Sequence, residues 1–265
     1  MPDRSTALIT GASFGIGLEL ARVLAREAHN LVLVARSGDK LRQLAAELEK
    51  NYSTRSLILA ADLTDPGAPA YVLDQTTRAN ITVDILVNNA GFGQYGLFVE
   101  NDLEECLRQI QLNVTALTHL TRLYLPGMVE RNSGRILNVA STAAFQPGPL
   151  MAVYFATKAY VLHFSEALAD ELADTGVTVT CLCPGATATE FHKRANATGM
   201  NLLRFGSMDA ATVAEDGYRA LMAGKPVVIS GFKNWLLAQS VRFSPRRIVT
   251  AITRKAQEAK KPDGK

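Results

Sequence analysis

Three residues capable of acid–base chemistry are regularly spaced in the second half of the chain. Ser141 is followed thirteen positions later by Tyr154, and Lys158 comes four positions after that. Residues 152–158 contain neither Pro nor Gly and predict the start of a helix, on which positions i and i+4 share a face. A free phenol has a pKa of about 10, and a neighbouring ammonium should lower it toward the range a general acid or base needs. The spacing therefore predicts a group that moves a proton to or from a substrate oxygen.

Ser141 directly follows an apolar run, residues 136–140, that predicts a buried strand. A hydroxyl at the C-terminal end of a strand is well placed to polarise a substrate oxygen. The simpler interpretation of Tyr-x-x-x-Lys is an ordinary amphipathic pair on a helix surface. The rest of the chain favours the chemical interpretation.

A second motif is the glycine-rich turn formed by Gly11, Gly15 and Gly17, which follows the apolar residues 6–10 and opens a helical pattern. Glycine lets the backbone turn tightly and approach a phosphate, and a helix N-terminus offers unpaired amides. The spacing is Gly-x-x-x-Gly-x-Gly, and such a turn could also be a simple strand-to-helix connection. Its place before repeated strand–helix alternation favours a phosphate-binding role.

The alternation predicts an α/β fold. Strands are predicted at Thr6–Thr10, Asn30–Ala35, Ser56–Ala60, Val83–Asn88, Arg135–Ala140, Val177–Cys183 and Val227–Ser230. Helices are predicted at about 15–28, 38–51, 66–80, 101–127, 152–174, 209–223 and 245–258. Nearly continuous apolar strands separated by helices indicate a mostly parallel sheet covered on both faces, here as a single domain over 1–265.

Composition narrows the function classes. The 265 residues are 48% hydrophobic and 20% charged with a net charge of +3, which favours a globular protein and gives no indication of nucleic-acid binding. No apolar run reaches the roughly 20 residues of a membrane span. Cys106, Cys181 and Cys183 form neither a disulfide framework nor a metal-ligand set, so we expect packing cysteines and no metal. The first strand leaves no room for a signal peptide, and we expect a cytoplasmic protein.

The C-terminal part is unusually basic. From Val227 onward there are nine Lys or Arg residues against Glu258 and Asp263. In the helical extension expected over about 233–258, basic residues interleave with Trp235, Leu236, Leu237, Val241, Phe243, Ile248, Val249 and Ile252. The favoured interpretation is that these apolar residues cover the sheet edge and the pocket. The alternative is a loose attraction to anionic membrane surfaces.

Taken together, these motifs resemble the short-chain dehydrogenase/reductase family, in its short single-domain branch, over nearly the whole chain. Thr10-Gly11-x-x-x-Gly15-x-Gly17 is similar to the family's cofactor motif, and Asn88-Asn89-Ala90-Gly91 to its fourth-strand motif. Pro184-Gly185-x-x-x-Thr189 is similar to the segment that passes the nicotinamide. The resemblance implies a doubly wound, Rossmann-like, seven-stranded sheet of order 3-2-1-4-5-6-7, with the ligand crevice at the carboxyl ends of the strands.

The resemblance also implies roles for the site residues. Tyr154 would be the acid/base, while Lys158 would lower its pKa and bind the nicotinamide ribose. Ser141 would hold the substrate oxygen. Asn113 would hold a water that relays protons from Lys158; the alternative is a mid-helix amide that bonds to backbone. Asn88 would chiefly stiffen its strand end.

The implied cofactor is NADP(H). The residues expected to contact it are Gly11, Ser13, Phe14, Gly15, Ile16, Gly17, Arg36, Asp62, Leu63, Asn89, Ala90, Gly91, Tyr154, Lys158, Pro184, Gly185, Thr187 and Thr189. An NAD enzyme would place an acid near Ala35, whereas the guanidinium of Arg36 suits a 2′-phosphate. The alternative for Arg36 is an exposed residue opening a loop. Asp62 would accept a hydrogen bond from the adenine amine. The alternative for Asp62 is a carboxylate that stabilises a turn or caps a helix.

The leading hypothesis is an NADPH-dependent oxidoreductase that interconverts a ketone or aldehyde, apolar, aromatic or acyl-chain, and its alcohol. The 3-oxoacyl thioesters are one specific substrate class. A non-catalytic NADP(H) sensor and a nucleotide-sugar epimerase or dehydratase are the competing classes.

Two further expectations concern a lid over the site and the association of subunits. Residues 186–208 are expected to form a substrate lid. The resemblance implies a homodimer or homotetramer through helices 101–127 and 152–174. Most of the apolar stripe in the first of these helices should nevertheless pack on the sheet; it comprises Leu103, Leu107, Ile110, Val114 and Leu117.

Overall fold

Seven parallel strands form one sheet, in the order third, second, first, fourth, fifth, sixth and seventh strand along the chain. The computed structural model describes residues 4–188 and 207–258. The strands are β1 Thr6–Thr10, β2 Asn30–Ala35, β3 Ser56–Ala60, β4 Ile85–Asn88, β5 Gly134–Val139, β6 Val177–Cys183 and β7 Val227–Ile229. The predicted fold class and strand order are confirmed, and the strand bounds agree to within two residues.

Helices cover both faces of the sheet. They are α1 Gly15–Arg26, α2 Gly38–Tyr52, α3 Ala68–Arg78, α4 Leu103–Ile110, α5 Leu117–Glu130, α6 Ala152–Glu171, α7 Ala210–Met222, α8 Phe232–Ser240 and α9 Arg246–Gln257. Successive strand side chains point to opposite faces. Accordingly, Ala7 and Ile9 pack with α1, α2 and α7, whereas Leu8 packs with α3 and α5.

The order of the strands determines where a ligand can bind. β1 pairs with both β2 and β4, so the winding reverses direction beside it. The ends of β1, β4 and β5 therefore lie at one edge, with Ile9 opposite Val87 and Asn88 opposite Asn138. In doubly wound sheets, the crevice outside such a reversal is the usual ligand site.

A buried chain of polar side chains ties the sheet to its helices. The Asn88 amide donates to Thr121 Oγ1 at 3.0 Å and to Asn138 Oδ1 at 2.9 Å. Asn138 in turn donates to Ser165 Oγ on α6 at 2.9 Å. Because buried hydrogen bonds are costly to break, this network fixes α6 against β4 and β5.

The predicted helix 101–127 is two helices, α4 and α5, joined by the π-helical turn Gln111–Ala116. Leu103, Leu107 and Ile110 are 63%, 49% and 40% exposed, whereas Leu117 is buried. The prediction that most of this stripe packs on the sheet is therefore wrong for its first half. A π turn inserts an extra residue, which rotates the side chains after it relative to those before it.

The C-terminal segment departs further from its prediction. It forms α8, a short 3₁₀ turn and α9, and it buries Ala238, Val249, Thr253 and Gln257. The favoured interpretation, that its apolar residues cover the sheet edge, is wrong for most of them because they lie on the other side of these helices. Trp235, Leu236, Leu237, Phe243, Ile248 and Ile252 are all exposed. Within the described ranges, no helix combines the length and apolarity that crossing a bilayer requires.

The three cysteines are free and buried, with Cys181 Sγ 3.8 Å from Cys183 Sγ, which confirms their packing role.

Most of the expected lid, residues 186–208, lies outside the described residues, because residues 189–206 are not among them. Thr189, an expected cofactor contact, lies in the same range. The described residues on either side adjoin, because the Ala188 amide donates to the Met208 carbonyl at 2.9 Å.

Candidate active site

The structure brings Ser141, Tyr154 and Lys158 together at the carboxyl edge of the sheet. Ser141 lies just beyond β5, where its hydroxyl accepts from the Ala143 amide at 3.1 Å and caps a short 3₁₀ turn. α6 begins at Ala152, so its first two turns carry Tyr154 and Lys158. Ser141 lies close enough to Tyr154 for its hydroxyl to lower the pKa of the phenol. Two hydroxyl groups therefore converge where a substrate oxygen would sit.

Lys158 is held behind the phenol. The side chain is 6% exposed, and its ammonium donates to the Val139 carbonyl at 2.7 Å. The same nitrogen lies 5.9 Å from the centroid of the Tyr154 ring. The end of β5 thus fixes the ammonium beside the phenol, as the i, i+4 spacing predicts.

The pKa values differ from the prediction. Burial raises the pKa of Tyr154 to about 12, and the nearby Ser141 hydroxyl opposes that rise. Burial also lowers the pKa of Lys158 to about 8, while the nearby Cys181 and Cys183 act in the opposite direction. The expectation that Lys158 brings the pKa of Tyr154 down is wrong for this structure, because desolvation penalises the charged form of both groups. At neutral pH the phenol is therefore protonated and able to donate.

Asn113 lies in the π-helical turn, and its side chain hydrogen-bonds to Phe92 and to Thr157 of α6. Its amide donates to the Phe92 carbonyl at 2.9 Å and to Thr157 Oγ1 at 3.0 Å, and its Oδ1 accepts from the Phe92 amide at 3.1 Å. The side chain thus bonds to backbone, which was the alternative interpretation, and the water relay stays a prediction. A Cβ added at Gly91 would lie 3.0 Å from Asn113 Oδ1 and 3.5 Å from Lys158 Nζ.

Thr157 is a site residue that the sequence analysis missed. Its hydroxyl donates to the Tyr154 carbonyl at 2.8 Å and accepts from Asn113. The only sequence signal was its position between Tyr154 and Lys158 in one turn of α6. Thr157 connects the helix that carries the acid/base pair to the helix that carries Asn113.

The glycine turn packs against the end of β4. Gly11 has a φ of +68°, and a Cβ there would lie 2.8 Å from Asn89 Nδ2 and 3.0 Å from Ala90 Cα. The Thr10 hydroxyl accepts from the amides of Asn89 and Ala90, both at 3.0 Å. Only glycine allows this approach. The N-cap residue of α1 is Phe14, whose side chain makes no cap hydrogen bond, so the first turn of this helix suits a phosphate and the turn fits a dinucleotide.

The remaining residues of the turn lie close to that helix terminus. Ser13 is buried, and Gly17 is packed too closely against Asn89 and Gly11 to accept a side chain. Phe14 and Ile16 are half-buried beside Gly15. The whole predicted turn, residues 11–17, is thus assembled at the crevice.

Arg36 and Asp62 meet beyond β2 and β3. Arg36 is 58% exposed, and its guanidinium lies 3.9 Å from Asp62 Oδ2, which Arg108 approaches at 3.8 Å. Asp62 Oδ1 accepts from the Thr64 amide and hydroxyl. Burial raises the pKa of Asp62, but the Thr64 hydrogen bonds and the two arginines outweigh it and leave the pKa low. Asp62 thus acts as a turn carboxylate, as in its alternative interpretation, with one oxygen facing two cations, and its contact with the adenine amine stays a prediction. Leu63 beside it is buried in the core.

The segment after β6 closes the other side of the crevice. The Pro184 carbonyl accepts from the Thr142 amide at 2.8 Å, which joins this segment to the turn after Ser141. Gly185 packs against Asn234 of α8. Thr187 is buried and donates to the Gly185 carbonyl at 3.0 Å.

The surroundings of the phenol are apolar. Ala143, Met151 and Phe155 form a buried cluster against which Tyr95 and Tyr154 pack. A cavity of about 890 Å³ lies elsewhere, at the amino ends of the strands beside Arg4, Asp84 and Arg135. None of the predicted site residues lines that cavity, so it is not the reaction site.

Comparison with known proteins agrees with this geometry. Residues 5–199 match the family model described as short chain dehydrogenase. The chain belongs to the short-chain dehydrogenase family. The predicted family and fold are thereby confirmed, and family members are oxidoreductases.

Individual relatives are similar over most of the chain. A Bos taurus very-long-chain 3-oxoacyl-CoA reductase is 36% identical over 192 residues, which are 71% of this chain but 61% of that protein. An NADPH complex of a Sphingobium yanoikuyae short-chain dehydrogenase has a TM-score of 0.80 and 36% identity, covering 90% of this chain and 94% of the other. A bulky-bulky ketone specific alcohol dehydrogenase from Comamonas testosteroni has a TM-score of 0.76 and 33% identity, covering 90% and 92%.

Proposed function

We propose that the protein reduces apolar ketones or aldehydes to alcohols with NADPH. The observation that carries this proposal is that Ser141 and Tyr154 lie together at the end of β5, with the Lys158 ammonium fixed beside the phenol. Such an arrangement serves proton transfer at an oxygen, which carbonyl reduction requires.

Each residue has a role that follows from its environment. The bound cofactor supplies the hydride that reaches the carbonyl carbon. Tyr154 gives its phenolic proton to the carbonyl oxygen, and Ser141 holds that oxygen by a hydrogen bond. Lys158 places a positive charge beside the phenolate left behind. A phenol with a pKa of about 12 is protonated at neutral pH, which supports the reductive direction.

Arg36 supports NADPH over NADH. The guanidinium is more than half exposed at the end of β2, and Asp62 holds it only loosely. It can therefore turn to a 2′-phosphate, for which a guanidinium fork is well suited. The Sphingobium relative binds NADPH on the same fold.

The substrate class follows from the apolar cluster around the phenol. Apolar walls with few fixed polar groups favour aromatic, bulky or acyl-chain carbonyls over hydroxylated ones. The name of the Comamonas relative points to bulky ketones. The name of the Bos taurus relative makes 3-oxoacyl thioesters the second candidate class.

Self-association is part of the same proposal. Leu103, Leu107 and Ile110 form an exposed apolar row on α4, and Tyr160 of α6 is 39% exposed. Apolar rows of this kind mark contacts between proteins. A homodimer or homotetramer through α4 to α6 would bury them.

The test is a panel of carbonyl substrates in which the consumption of NADPH measures the rate of reduction. It pairs an aromatic or medium-chain ketone with a hydroxylated, sugar-like carbonyl of similar reactivity, and a 3-oxoacyl-CoA with the matching simple 3-oxo ester. We expect a higher kcat/KM for the apolar member of the first pair. Equal values for the hydroxylated carbonyl would contradict the substrate class. NADPH binding without consumption of any carbonyl would favour the sensor hypothesis.

A further inference from the structure

Seven large apolar side chains are exposed in the last part of the described chain. Their exposed fractions run from 45% for Trp235 to 89% for Phe243. The seven, called here the C-terminal face, are Phe232, Trp235, Leu236, Leu237, Phe243, Ile248 and Ile252. Single exposed apolar residues are common, but seven of them between Phe232 and Ile252 mark an interaction site.

Helix geometry separates this face from the side that folds onto the protein. In α9, Ile248 and Ile252 are four residues apart and share one side. Val249, Thr253 and Gln257 lie on another side and are buried. α9 is thus anchored to the rest of the protein without its exposed isoleucines.

α8 shows the same separation. Ala238 is buried, while Phe232 and Trp235 lie on an exposed side with stacked rings whose centroids are 5.8 Å apart. The exposed apolar residues of both helices therefore remain available to something outside the chain.

The charge around this face is strongly positive. Phe232–Glu258 contains six basic residues, Lys233, Arg242, Arg246, Arg247, Arg254 and Lys255, against a single acid. That acid, Glu258, pairs with Arg254 at 3.5 Å. The segment has a net charge of +5 while the whole chain has +3, so the remainder is net negative. The positive charge is thus concentrated beside the exposed apolar residues.

The exposed apolar side chains and the positive charge together indicate which kind of partner this face binds. Two copies meeting through this face would bring +5 against +5, which is repulsive. A nucleic acid would satisfy the arginines but not seven exposed aromatic and aliphatic side chains. Helices with Trp, Phe and Leu beside Lys and Arg are typical of proteins that lie in the interface of an anionic bilayer, where Trp sits at headgroup level.

We propose that the C-terminal face docks the protein on the surface of anionic phospholipid bilayers. The apolar side chains enter the headgroup boundary, and the basic side chains contact lipid phosphates. Docking involves no turnover, so it does not rest on the proposed reaction.

The helix that carries part of this face, α8, borders the active site. Asn234 of α8 packs against Gly185, and α8 borders a cavity of about 170 Å³ beside Ala144 and Phe145 of the turn that follows Ser141. A docked protein would hold this side of its crevice near the lipid, where apolar carbonyls accumulate.

The experiment is flotation of the full-length protein with vesicles of phosphatidylcholine alone or mixed with phosphatidylglycerol. We expect binding to the mixed vesicles at low salt and a several-fold smaller bound fraction at high salt, because salt screens exposed charges. Phe243→Ser should lower the partition coefficient about tenfold through lost apolar burial. Arg246→Gln with Arg247→Gln should lower it about as much and weaken the salt dependence, because two of the six basic residues of the segment lose their charge.

Matched controls separate docking from general surface effects. Phe98→Ser removes an aromatic residue that is 64% exposed elsewhere, and Arg78→Gln removes an exposed charge on α3. Both should bind like the unchanged protein, and unchanged NADPH binding should show that every variant is folded.

Three results would overturn the proposal. They are failure to float with anionic vesicles at low salt, equal binding to neutral vesicles, and binding that Phe243→Ser leaves intact. Self-association in vesicle-free solution that Phe243→Ser abolishes would assign the face to a second copy instead.

Discussion

Replacing Arg36 by alanine should remove most of the preference for NADPH over NADH. A hydrogen bond to a charged group contributes about 1.5–3 kcal/mol. Arg36 is 58% exposed, so solvent screens it and the lower part of that range applies, about 1.5–2 kcal/mol. This corresponds to a fall of about 10- to 30-fold in the ratio of kcat/KM for the two cofactors.

The surroundings of Arg36 make this variant interpretable. Asp62 keeps its contacts with Thr64 and Arg108 when Arg36 is removed. Its carboxylate therefore still has partners, and the variant should fold normally. NADH has no 2′-phosphate, and kcat/KM with NADH should stay within a few-fold.

The assay measures initial rates with one ketone and both cofactors. Arg78→Ala is the matched control, because Arg78 is 74% exposed and pairs with Asp74 on α3, away from the crevice. A wild-type protein that prefers NADH would refute the reasoning. An unchanged cofactor ratio in Arg36→Ala would refute it equally.

Three further predictions concern the phenol, the ammonium and a buried amide. Tyr154→Phe should lower kcat about 10²- to 10⁴-fold with NADPH binding retained, because it removes the general acid. The reduction rate should fall as pH rises through about 8, where Lys158 loses its proton, while Tyr154, with a pKa of about 12, stays protonated. Gln109→Met should raise the free energy of unfolding, measured by urea denaturation, by about 1–3 kcal/mol. Gln109 is fully buried, and neither polar atom of its side chain has a partner among the described residues.

For each of these three predictions, a specific result would contradict the reasoning. Tyr124→Phe removes a buried hydroxyl that bonds to Thr76 at 2.9 Å, far from the site, and should keep normal kcat. A Tyr154→Phe variant as active as Tyr124→Phe would exclude the acid role. A rate that stays flat to about pH 10 would show that Lys158 is not the titrating group. Loss of stability in Gln109→Met would show that ordered water or a ligand satisfies that amide.

The fold was accessible from the sequence because its signals are local. Apolar runs of four to seven residues between helical patterns located all seven strands, and the family resemblance supplied their order. The glycine turn and the Tyr154–Lys158 pair were equally accessible, since a tight turn with positive φ favours glycine and i, i+4 residues share a helix face.

Tertiary structure decided what depends on contacts between distant segments. The Val139 carbonyl that holds Lys158 and the Phe92 backbone that holds Asn113 lie 19 and 21 residues away in sequence. Burial, which moved the pKa of Tyr154 up rather than down, is a property of the packed site. The exposure of the C-terminal face was likewise undecided, because amphipathic periodicity gives a helix an apolar side without telling what that side meets.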